Sequence, residues 1–140
     1  MRPSFSFLFL HGFVVLLLVF ASACGKKSGA DVNIQAEISN LASDNAETRQ
    51  NACVKLGEAK EAASAGVKPL MAALKDKDAL VRRLAAYALG EIGAKAKEAI
   101  PALRDAMKDP DPSVASSAAS AITAIDPSQK VESLGPNVTN

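Results

Sequence analysis

The stretch from Asp78 to Gly93, DALVRRLAAYALGEIG, decides how this chain folds. Val81, Ala85, Ala88, Leu89 and Ile92 recur at intervals of three and four, so on a helix they form one apolar stripe. Asp78 precedes the stripe, and its carboxylate suits the N-cap, where a side-chain oxygen accepts an otherwise unpaired amide of the first turn. Gly93 follows the last apolar position and supplies a stop. A single helix of this kind leaves its stripe in water, so the rest of the chain must supply the cover.

The cover is the same pattern repeated. Sliding the sequence over itself by 33 residues aligns Ile34 with Val67 and Ile100, and Leu41 with Leu74 and Met107. The same shift aligns Ala52, Ala85 and Ala118; Cys53, Ala86 and Ala119; Leu56, Leu89 and Ile122; and Ala59, Ile92 and Ile125. One gapless offset produces all these columns. Each unit reads as two helices, the second beginning after Asn45, Asp78 or Asp111, all good N-cap types. Pro112 takes the first helical position, where its missing N–H costs nothing. The spacing predicts helix pairs at 31–42 with 46–59, 66–75 with 79–92, and 98–108 with 112–126. Burying each Leu, Ile or Val is worth about 1.5–3 kcal/mol, but one pair cannot bury its own stripe, so the stack is the stable unit.

The segment Ile100 to Ile125, with Pro101, Leu103, Met107, Asp109-Pro110-Asp111-Pro112 and Val114, resembles HEAT-like repeats of the phycobilisome-lyase type. Asp78, Val81-Arg82, Ala85, Ala86, Ala88-Leu89-Gly90 and Ile92-Gly93 match the second-helix pattern of that family. The resemblance covers about residues 31–126 and implies an all-α fold, a short right-handed α-α superhelix of about three helix pairs. It is specific for fold and weak for function, because unrelated proteins use this scaffold. Ankyrin units share the period but need a Thr-Pro-Leu-His-type start, and tetratricopeptide units need bulky aromatics. In HEAT repeats an Arg on the second helix often pairs with a turn Asp six residues earlier, in the same or a neighbouring unit. Arg49 and Arg82 share that column with Ala115, and Asp76 precedes Arg82 by six. The expectation is a partial Asp–Arg ladder in which Asp76 and Arg82 are coupled, with an anion-binding Arg as the functional alternative.

Outside the repeats the composition changes. All five Phe (Phe5, Phe7, Phe9, Phe13, Phe20) and His11, the one His, lie within the first 23 residues, and Tyr87 is the sole aromatic after them. Arg2 followed by the apolar run Phe5 to Phe20 is an export signal. Ala21-Ser22-Ala23-Cys24 resembles a bacterial lipobox, which implies a lipoprotein signal peptide over 1–23, diacylglyceryl and fatty acyl (palmitate-type) modification of Cys24, and a tether over 24–30. Ala21 stands where the usual lipobox has Leu. Ala21 and Ala23 also satisfy the A-x-A rule of the general signal peptidase, and the run is nearly long enough to stay as an uncleaved anchor. Residues 127–140, with Pro127, Gly135 and Pro136, read as a polar tail; the sequon at Asn137 is incidental behind a bacterial-type signal.

Charge and chemistry narrow the function classes. Without residues 1–23, which contain Arg2, the sixteen basic residues become fifteen, against fifteen acidic ones. That balance gives no electrostatic basis for nucleic-acid binding. With no His after Ala23, Ser–His, Cys–His and His-ligated metal sites are excluded from this part. The paired carboxylates Asp76/Asp78 and Asp109/Asp111 recur in successive turns, where capping accounts for them. Cys53 sits in an Ala column and reads as a small core residue, with no group placed to activate it. No catalytic residue, metal site or cofactor is expected.

The remaining expectation is an interaction protein: a scaffold or adaptor, lipid-anchored on the exported side of a bacterial envelope, offering the concave face of its solenoid to a protein or peptide. Arg83 and Tyr87 lie one turn apart and off the apolar stripe, so their side chains share a patch. Tyr and Arg are enriched among residues that dominate binding energy. Val54, one repeat earlier in the Tyr87 column, extends the patch, and Ser117 and Ser120 give it a polar end. Tyr87 has a second reading, packing against the neighbouring repeat. The alternative function, also from the resemblance, is a lyase-like or other enzyme-accessory protein.

Overall fold

A computed structural model describes residues 33–129, all within the unit Asp31–Asn140. The expected signal segment and tether, with Cys24, the first two residues of the expected 31–42 helix and residues 130–140 lie outside the described residues. Six α-helices follow one another: α1 Ile34–Asn40, α2 Ala46–Glu58, α3 Val67–Ala73, α4 Ala79–Ile92, α5 Ile100–Ala106 and α6 Pro112–Ile125. There is no strand among the described residues. The chain is the expected all-α solenoid of three helix pairs.

The caps are those the sequence calls for. The Asn45 side chain accepts from the amides of Glu47 (2.8 Å) and Thr48 (3.3 Å). Asp78 accepts from Val81 N at 2.9 Å, and Asp111 from Ser113 N at 2.8 Å. All three caps are in extended backbone, and Pro112 holds the first helical position of α6. Gly93 ends α4 with φ +68°, a conformation closed to most residues.

The expected stripe of α4 is completely buried: Val81, Ala85, Ala88, Leu89 and Ile92, joined by Ala86. With Leu56, Leu70, Leu103 and Ile122 they make one continuous core. The second helices α2, α4 and α6 lie side by side as one layer, and each first helix packs on the second helix of its own pair.

The connections between pairs are more ordered than the sequence indicates. Lys60–Gly66 and Gly93–Ala99 are 3-10 segments, each packed against the first helices on both sides of it. The two segments are equivalent in the repeat. Lys60 and Gly93 both have positive φ, and Ala63 and Ala96 both break helical geometry while being completely buried. The expected helix starts at 66 and 98 are therefore one and two residues early, because Gly66, Glu98 and Ala99 belong to these segments. Their runs of Ala and Gly carry no apolar period to read.

The expected pairing of Asp76 with Arg82 is corrected. Arg82 Nε and Nη2 donate to the carboxylate of Asp109 in the next repeat, at 2.8 and 3.0 Å. Arg49 does the same to Asp76, at 2.7 and 2.9 Å. Six residues back, each Arg instead finds backbone: Arg82 Nη1 donates to the carbonyl of Asp76 (2.9 Å) and Arg49 Nη1 to that of Ser43 (2.8 Å). The planar guanidinium thus uses one edge for its own turn and the other for the next. The ladder runs between repeats, 27 residues apart.

Candidate interaction face on the second helices

Tyr87 projects from the layer of second helices and is 50% exposed. The reason is its place on α4: it lies off the stripe, between the buried pairs Ala85-Ala86 and Ala88-Leu89. One edge of its ring reaches back over α2, since a Cβ on Gly57 would stand 3.6 Å from Tyr87 Cε1. The ring therefore lies partly over α2 and is partly open to solvent.

On its other side Tyr87 borders a groove of about 310 Å³ between α4 and α6. The walls are Tyr87, Glu91, Ser116, Ser117 and Ser120, with Gly90, Ala121 and Ala124 as apolar lining. The helices meet closely at its floor: a Cβ on Gly90 would lie 3.1 Å from Ala121 Cα. The groove offers hydroxyls, which donate and accept, one carboxylate acceptor and a small-residue floor.

Of the residues singled out from sequence, the groove brings together Tyr87, Ser117 and Ser120. Arg83 is exposed on α4, and Val54 is half-buried on α2, but neither is on its wall. Gly90, Glu91, Ser116, Ala121 and Ala124 were not anticipated. Their signal was the pair Gly57 and Gly90 at the repeat offset, which marks a close approach of neighbouring second helices.

The carboxylates of the turns and of α1 are occupied structurally. Burial raises the Asp76 carboxyl, but the Arg49 hydrogen bond and the Asp78 amide outweigh it and hold it below the ordinary carboxylate value. The Arg82 hydrogen bond holds Asp109 low in the same way. Asp111 is held low by the hydroxyl and amide of Ser113. Glu37, buried on α1, is held low by Lys55, which donates to it at 2.9 Å. Cys53 is completely buried, and burial pushes its thiol up to about 12, the opposite of what a nucleophile needs. Among the described residues no three His, Cys, Asp or Glu side chains stand together as metal ligands. No described helix is long and apolar enough to cross a membrane.

No curated protein matches the chain. A family model of HEAT repeats matches residues 34–123, well over half of the 140 residues, in the same span that carries the three helix pairs and their Arg–Asp ladder. The chain belongs to the HEAT repeat family.

Proposed function

We propose that this protein is a non-enzymatic adaptor, exported in a bacterium and held to a membrane by lipid on Cys24, which captures a protein or peptide along α4 and α6. HEAT repeats serve generally as protein-interaction scaffolds. The observation that carries the reading is the position of Tyr87, half-exposed beside a groove edged with Ser117 and Ser120. An aromatic with an apolar body and a polar tip is a favoured anchor at interfaces.

Curvature supports the choice of face. Second helices approach closely at Gly57–Ala88 and Gly90–Ala121, whereas the 3-10 segments stand between successive first helices. A two-layered stack with one tight and one spaced layer bends toward the tight one, which makes the second helices concave. Anchoring rests on Ala21-Ser22-Ala23-Cys24 behind the apolar run; two or three acyl chains hold a protein firmly, where one does so marginally.

The test places a photo-crosslinking amino acid at Tyr87 in native cells, with Lys75, exposed on the turn after α3, as control. An adduct to a second polypeptide from position 87 alone is expected. Equal labelling from both positions, or none, contradicts the assigned face. Intact mass of the native protein tests the anchor: an acylated chain beginning at Cys24 supports it, and a free thiol there removes the lipid while leaving the face intact.

A further inference from the structure

Three serines open the groove between α4 and α6. At the 33-residue offset, Arg83, Leu84 and Tyr87 of α4 fall in register with Ser116, Ser117 and Ser120 of α6. On α4 the last of these covers the junction with α2, its ring edge 3.6 Å from where a Cβ on Gly57 would stand. On α6 the equivalent positions end in short hydroxyl side chains, and the junction with α4 stays open.

The open junction carries one uncompensated charge. Glu91 is the one charged residue on the groove walls. α6 has no ionisable side chain over Pro112–Ile125, so nothing across the groove balances it. Along α4, Arg82 is held by Asp109, and Arg83 stands eight residues from Glu91, a rise of about 12 Å. Lys95 lies beyond Gly93, where the helix breaks. Among the described residues Glu91 takes part in no ion pair. The hydroxyls are uncommitted as well. Ser39 and Thr123 turn theirs back onto the carbonyl four residues earlier, at 3.0 and 3.2 Å, and Ser116, Ser117 and Ser120 have no such bond among the described residues.

We propose that this groove receives an arginine side chain of a peptide partner. Given α4 and α6 as the capture face, on which this rests, the groove sets what is captured. A guanidinium has five N–H donors and no acceptor, and the walls offer a carboxylate and three hydroxyl oxygens with no cationic side chain among them. Its plane stacks on aromatic rings, and Tyr87 stands on the wall. A lysine ammonium is more strongly hydrated and has three donors, so it uses fewer of these acceptors. An acidic side chain would meet Glu91 with nothing beside it to offset the repulsion. The volume, about 310 Å³, is at the small end for a binding pocket and suits one long side chain better than a whole ligand.

The chain has one Tyr and no Trp, so tyrosine emission reports on the groove wall alone. Full-length protein, in a mild non-ionic detergent without aromatic rings, is titrated with acetyl-Ser-Gly-Arg-Gly-Ser-amide. The same peptide with citrulline or glutamate in place of arginine is titrated beside it. Citrulline keeps the shape of arginine and loses its charge. The arginine peptide should change the emission saturably and bind about fivefold or more tightly than the citrulline peptide. Glu91→Gln should bring the arginine peptide down to the citrulline level. Ser116→Arg with Ser117→Leu, which writes the α4 residues onto α6, should abolish binding at an unchanged melting temperature. If that double variant melts low, Glu91→Gln carries the test. Equal affinity for the arginine and citrulline peptides, or full arginine binding in Glu91→Gln, would overturn the proposal. So would the lack of a saturable response to any of the three peptides. The capture face itself would survive those results, since the crosslink from position 87 tests it separately.

Discussion

Arg82 and Asp109 are joined by two nearly parallel hydrogen bonds, 2.8 and 3.0 Å long, that run from the second helix of one repeat to the turn of the next. The same Arg holds the Asp76 backbone carbonyl with its remaining nitrogen. A double-mutant cycle separates the two contacts. Arg82→Ala with Asp109→Ala should show an interaction energy within about 0.5–3 kcal/mol. Arg82→Ala with Asp76→Ala should be close to additive, because the Asp76 atom that Arg82 touches is backbone and survives the change. Chemical denaturation of the three single variants, the two double variants and the wild type measures both.

The ladder also sets an acid limit. Asp109, through Arg82, and Asp76, through Arg49 and despite its burial, are held below the ordinary carboxylate value when folded. A carboxyl depressed in the folded state adds stability that is fully present above its unfolded pKa, about 4, and is lost as pH falls through the folded value. Denaturation midpoints should therefore be flat near neutrality and fall below about pH 4. Asp109→Asn should lower the neutral plateau and make the acid fall shallower. An unchanged acid limb would show that Arg82 does not depend on that charge.

Sequence made the repeat, the stripe, the caps and the Gly93 stop legible, because each depends on local residue type or on a period. The direction of the ladder was not legible. A spacing of six within a repeat and of 27 between repeats both put Asp beside Arg, and only the stacking of helices tells them apart. The 3-10 segments were missed because their Ala63 and Ala96 anchors look like any alanine. For the candidate face, Tyr87, Ser117 and Ser120 came from counting what lies off the stripe. The groove beside them depends on how far α6 stands from α4, which Gly90 sets.

That spacing is testable at equivalent positions. A branched side chain at Gly90 must push into the backbone of α6 at Ala121, so Gly90→Val should cost about 1–3 kcal/mol. Thr123→Val, at the equivalent position but exposed on α6, should stay within about 0.5 kcal/mol of wild type. Thermal melts of the two variants side by side decide it.

Backbone conformation makes a second contrast between equivalent residues. Gly93 has φ +68° and ψ −139° with open space around it, so Gly93→Ala is opposed by backbone strain alone, at about 1–3 kcal/mol. Lys60, its equivalent, sits at φ +51° with a side chain already in place. Lys60→Gly should leave stability unchanged or raise it, a sign that the same melts will read.

Tyr87, half-exposed on α4, is the proposed anchor on a stack whose core is built without it. The direct measurement is a Tyr87→Ala/Arg83→Ala variant, followed by melting and by partner capture from native cells. Truncation of an anchor costs about 2 kcal/mol or more in binding, so capture should fall roughly thirtyfold or further while the melting temperature stays at the wild-type value. Unchanged capture with a lowered melting temperature would contradict the account and assign Tyr87 to packing across Gly57.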